Sequence, residues 1–142
     1  LGRLTANHGV SRLPGFYLLP HPNPYRPIWM KQDGSIDVDA YISFYELFLK
    51  ESTSGQIAAF IIEPIQGWGG GIIPPDEFLP RLKKFCEARD ILLITDEILT
   101  GCGRTGEWFC MDYWNVSPDI TLLGKGLGNG FPMSAVLTHK KY

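Results

Sequence analysis

The chain has 142 residues, the length of one domain, and its 44% hydrophobic and 20% charged composition is that of an ordinary globular protein. A net charge of -2 provides no attraction for nucleic acid or an anionic membrane, and no stretch reaches the roughly 18 uninterrupted apolar residues of a spanning helix. Cys86, Cys102 and Cys110 have no metal-ligand spacing, and their odd number argues against a disulfide framework, so reduced thiols in a cytoplasmic protein are expected.

The opening residues, Leu1-Gly2-Arg3-Leu4-Thr5, contain neither an initiating methionine nor the apolar core of a signal peptide. Residues 1–142 are therefore expected to form a single partial domain cut from a longer chain. Over residues 1–34, Pro14-Gly15 and Pro20-His21-Pro22-Asn23-Pro24 mark turns and extended backbone. With Phe16, Tyr17 and Tyr25, this stretch is expected to wrap a larger body rather than fold alone.

A helix capped by Asp37 should follow, because Tyr41, Phe44, Tyr45, Phe48 and Leu49 recur at three and four positions, with Gly55 ending the segment. The non-alternating run Ala58 to Glu63 predicts a strand buried on both faces. After the glycine-rich loop around Trp68, a second helix should start near Asp76. Its apolar stripe is Phe78, Leu79, Leu82, Phe85 and Cys86, with Arg81, Lys83, Lys84 and Glu87 outside and Pro80 confined to the first turn. Ile91–Asp96 and Ile120–Leu123 read as further buried strands, and Ala135–Thr138 as a fourth. Strand, helix, strand with apolar strands implies an α/β fold, a mainly parallel sheet flanked by helices.

Ligands of parallel sheets gather outside the carboxyl ends of the strands, where Glu63, Asp96 and Lys125 all fall. Any one of them alone is an ordinary turn or loop residue; their convergence on one edge carries the argument. A lysine and an aspartate so placed can serve the two ends of pyridoxal phosphate, the amine forming an imine with the aldehyde and the carboxylate keeping the ring nitrogen protonated. Competing motifs fail on specific residues. A phosphate-binding P-loop needs Ser or Thr after its lysine, and Gly126 follows Lys125. A dinucleotide loop needs a helix directly after its glycines, and Asn129-Gly130-Phe131-Pro132 prevents one. His8, His21 and His139 are scattered without metal or nucleophile-base spacing, and no nucleophile elbow is present.

Three ordered segments, Glu63-Pro64-Ile65-Gln66-Gly67, Thr95-Asp96-Glu97-Ile98-Leu99-Thr100-Gly101 with Gly103-Arg104-Thr105-Gly106, and Pro118-Asp119-Ile120 leading into Gly124-Lys125-Gly126, resemble the class III aminotransferases. The 29 positions between Asp96 and Lys125 (125 − 96) match that family's spacing, and the resemblance is strongest over residues 58–138. It implies the large domain of a pyridoxal-phosphate enzyme of fold type I, homodimeric when complete, that moves an amino group from an amino acid or amine to a 2-oxo acid. By position, the resemblance makes Lys125 the Schiff-base lysine and proton carrier, pairs Asp96 with the ring nitrogen, and packs Ile98 on the cofactor ring. Glu63 and Gln66 then line the substrate side, Gln66 beside the cofactor.

The sequence departs from the family at three places. Leu99 stands where many members have a Gln, Trp68 stands where some have a Glu that gates a substrate-binding arginine, and Asn7 precedes His8-Gly9, so His8 reads as a loop residue. Members run to several hundred residues, and the phosphate-binding turn and the carboxylate-binding arginine have no counterpart here. The 142-residue piece by itself is therefore expected to bind the cofactor weakly and transaminate poorly. Two alternatives stay open: a decarboxylase or aminomutase of the same fold, and an inactive truncated remnant or interaction module.

Overall fold

A computed structural model of the chain describes residues 14–142; the reading of His8 falls outside them. Helix α1, Val38–Ser52, begins where the sequence places it, because Asp37 accepts a hydrogen bond from the Ala40 N–H at 3.0 Å. It stops before Gly55, where the Thr53 hydroxyl turns back to donate to the Leu49 carbonyl at 2.7 Å. Tyr41 and Tyr45 are fully buried, and the preceding segment is laid over them. The Tyr45 hydroxyl donates to the Pro20 carbonyl at 2.6 Å, Trp29 meets Tyr41 edge-on, and the His21 ring meets Phe78 edge-on. The early segment thus does wrap the body, although Phe16 and Tyr25 remain exposed.

Strand β1, Ala59–Ile62, leads to helix α2, Phe78–Glu87, and then to β2, Leu92–Asp96. Pro80 is the third residue of α2, inside the first turn, where its missing N–H has no intrahelical partner to lose. Strand β3 is Ile120–Leu123 and β4 is Ala135–Thr138. The four strands lie in the order β1-β2-β3-β4, the first three parallel and the last antiparallel.

Val38, Tyr41, Tyr45, Phe78, Leu82, Phe85, Leu93 and Ile62 share one core, which places α1 and α2 on the same face of the sheet. Two expectations need correction. Strand β1 is not buried on both faces: Ile62 is 7% exposed, but its neighbour Ile61 is 56% exposed, because both helices lie on one side among the described residues. Lys83 is not a free outward charge. Its amine donates to Asp119 at 3.0 Å, and the same Asp119 oxygen accepts the Leu93 N–H at 2.9 Å, stapling α2 to the amino ends of β2 and β3.

Candidate active site

The register brings the three chemistry-bearing strand ends side by side. Ile62 pairs with Thr95, so Glu63 follows β1 level with Asp96 at the end of β2. Asp96 in turn pairs with Leu122, and Lys125 lies three residues beyond it, just past β3. One strand spacing of about 4.8 Å plus three residues of chain at about 3.8 Å each keeps the Asp96 and Lys125 α carbons within about 16 Å. Both α carbons therefore lie in one region of the carboxyl edge.

Alternation along β2 separates the two carboxylates that end it. Leu93, Thr95 and Glu97 fall on the helix-covered face and are buried, whereas Leu92, Ile94 and Asp96 fall on the opposite, half-open face. One Asp96 oxygen, Oδ1, accepts the Ile98 N–H at 3.1 Å, and Oδ2 has no hydrogen-bond partner among the described residues. Asp96 thus keeps an acceptor for an incoming N–H.

Glycines bring the loops together at this edge. A β carbon on Gly124 would sit 3.2 Å from Ile98 Cγ2, so the isoleucine rests on the backbone immediately before Lys125. A β carbon on Gly67 would overlap Leu99 Cδ2, so the loop after β1 lies against the turn after β2. Glu63 tightens that loop by accepting the Gly67 N–H at 3.0 Å. The Gln66 carbonyl takes the N–H groups of Gly71 and Ile72, closing the glycine-rich turn, with Trp68 at its exposed tip.

Lys125 opens the short 3-10 segment Lys125–Gly128 with φ 42°, the left-handed region that a lysine rarely adopts. Such a conformation costs of order 1–3 kcal/mol and persists where surrounding structure imposes it, which directs attention to what that residue does. The side chain is exposed.

Glu97 and Thr100, to which sequence reading gave no role, form the most buried polar cluster of the edge. Glu97 is 1% exposed and accepts three bonds, from the Thr100 hydroxyl at 2.5 Å and from the Cys110 and Met111 N–H groups at 3.0 Å each. The partners lie 13 and 14 positions away on backbone, so no spacing rule finds them; an acidic residue directly after a strand-ending Asp was the available signal. Cys110 belongs to this wall. Burial, reinforced by the Glu97 carboxylate, pushes its thiol up to about 11, as befits packing rather than nucleophilic attack.

Two concavities of about 560 and 590 Å³ lie elsewhere. The first reaches Glu97 from the side of Asp119 and Leu137, the second runs from Ile65 to Trp114, and neither contains Asp96 or Lys125. In a parallel sheet the convergence of strand ends is the better guide to a site. Among the described residues no cluster of His, Cys, Asp and Glu could hold a metal, and no helix is long and apolar enough to cross a membrane.

The chain is 39% identical to the alanine/serine racemase of Pyrococcus horikoshii over 98% of its own length and 31% of that protein. It is 49% identical to the ornithine aminotransferase of Brevibacillus brevis over 66% of the chain and 24% of that enzyme. Its fold matches an amine transaminase from an uncultivated Pseudomonas species, solved with pyridoxal phosphate bound, with a TM-score of 0.80 at 38% identity, covering 95% of this chain and 30% of that one. The chain thus spans about a third or less of the length of these relatives. The family profile described as aminotransferase class-III matches residues 5–142, and with the parallel strand ends in the order just described, the chain belongs to that family.

Proposed function

We propose that this chain carries the cofactor-binding centre of a pyridoxal-phosphate-dependent aminotransferase, which passes an amino group from an amino acid or amine to a 2-oxo acid. The observation that carries this reading is the delivery of Lys125 and Asp96 by the carboxyl ends of two neighbouring parallel strands. When bound, the cofactor supplies an aldehyde that captures amines and a ring that accepts electrons from the α carbon. The residues present fit it. Lys125 holds the cofactor through its amine and moves the proton at the substrate's α carbon. Asp96, whose Oδ1 is taken by the Ile98 N–H, would hold the ring N–H through Oδ2. Ile98, seated on Gly124, would pack against the ring, while Gln66 and Glu63 would line the substrate side.

Racemisation is a second reading, favoured by the racemase from Pyrococcus horikoshii that matches nearly the whole chain. Both reactions begin with removal of the α proton. They part in whether that proton returns to the α carbon from the other face or the amino group stays behind for a 2-oxo acid.

The same reading makes the full-length protein a cytoplasmic homodimer. Unpaired Cys86 and Cys110, buried as thiols, suit a reducing compartment, and exposed Trp68, Phe131 and Met133 near the carboxyl edge suit burial against a second subunit.

The deciding experiment gives the full-length protein with pyridoxal phosphate a panel of amino acids, with and without a 2-oxo acid. Amino transfer to the acceptor, lost in Asp96→Ala, is the expected result. Enantiomer formation independent of acceptor supports racemisation instead, and the absence of both overturns the assignment.

A further inference from the structure

Glu97 is the hinge-pin of the turn that presents Asp96. Its N–H donates to the Leu122 carbonyl at 2.9 Å, extending the β2–β3 ladder one residue past Asp96. Its carbonyl accepts the Gly101 N–H at 2.8 Å, closing the turn that carries Ile98 and Leu99. The side chain descends on the helix-covered face and is gripped there by the Thr100 hydroxyl and the first two N–H groups of the 3-10 segment Cys110–Trp114. Successive residues of an extended strand point to opposite faces, so whatever pins Glu97 down on one face sets the direction of Asp96 on the other. Gly101 leaves this arrangement little play: a β carbon there would lie 2.9 Å from the Glu97 carbonyl and 2.8 Å from Leu123 Cδ2.

We propose that Glu97 is a positioning residue, whose clamped carboxylate fixes the orientation of Asp96 toward the cofactor's ring nitrogen. This rests on the cofactor reading above. Buried carboxylates that accept several N–H bonds hold their geometry tightly, because each lost partner leaves a buried polar group unsatisfied. In Glu97→Gln the amide keeps the volume but can accept at only one of the two oxygen positions, so the donors on Cys110 and Met111 cannot both be satisfied. The strand end then rotates and Asp96 loses its alignment. Thr100→Val removes a single donor with nearly the same shape and acts in the same direction, more weakly.

The test uses the full-length protein with pyridoxal phosphate and reads cofactor affinity and the pH midpoint of the bound cofactor's visible absorbance. Asp119→Asn serves as the control, because Asp119 sits at the opposite, amino end of β3 and touches none of these groups. Glu97→Gln should weaken cofactor binding about tenfold and move the absorbance midpoint by half a pH unit or more. Thr100→Val should move both in the same sense by less, and Asp119→Asn should move only the unfolding temperature. Midpoints and affinities unchanged in both Glu97→Gln and Thr100→Val, or shifted equally in the control, would overturn the positioning role. A protein that shows no cofactor absorbance at all would overturn the cofactor reading and this proposal with it, an outcome separate from an unmoved midpoint. Should Glu97→Gln not fold, Thr100→Val alone decides.

Discussion

Acidification should destabilise the protein through His21. The ring lies edge-on to Phe78 at 5.6 Å, and Nε2 is buried with no hydrogen-bond partner among the described residues. Burial therefore favours the neutral ring and lowers its pKa from 6.5 to about 4. The folded-state value lies below the unfolded one, so the unfolded chain binds the proton more readily between them. Stability is whole above pH 6.5 and falls as the pH drops from there toward 4. A difference of about 2.5 units at 1.36 kcal/mol each gives roughly 3 kcal/mol lost across the window, an upper figure for a ring with some solvent contact. Urea unfolding followed at pH 7, 6, 5 and 4.5 measures the loss, and His21→Gln removes the titrating group. The variant should start less stable at pH 7 but decline less steeply below pH 6.5. Parallel declines in the two proteins would refute the reasoning and assign the acid sensitivity to other groups.

Other consequences concern the frame around the site. Asp119→Ala removes the acceptor of Leu93 N–H and the partner of Lys83, and should cost about 2 kcal/mol of unfolding free energy in denaturant titration. Burial alone would raise the Asp119 pKa, but the bonds from Leu93 and Lys83 prevail and lower it, so its contribution is present above the ordinary carboxylate range and fades as pH falls through it. Gly101→Ala meets the Glu97 carbonyl, which cannot swing aside, and should destabilise by about 2 kcal/mol or more in thermal melts, whereas Gly67→Ala meets only the tip of Leu99 and should cost less.

The parts of the molecule with strong periodicity or caps were legible from residues alone. Asp37 caps α1 as its position predicts, the apolar strands fall within a residue of their expected ends, and the strand-end rule gathers Glu63, Asp96 and Lys125 at one edge. What escaped depends on tertiary partners. An unbroken apolar run cannot tell one covered face from two, and Ile61 lies on the open one. Lys83 looked like a solvated helix charge because Asp119, its partner, lies 36 positions away. The same distance problem hid Glu97, whose donors are backbone groups with no side-chain signature. The Asp96–Lys125 spacing does not separate amino transfer from racemisation, since both reactions begin with removal of the same α proton.

Locating the covalent attachment tests the central claim most directly. The full-length protein is incubated with pyridoxal phosphate, reduced with borohydride, digested and mapped by mass spectrometry. The cofactor's mass should appear on the peptide containing Lys125, and Asp96→Ala should sharply reduce the labelled fraction at limiting cofactor. Label fixed instead on Lys140, Lys141 or other surface lysines, with Lys125 unmodified, would contradict the account.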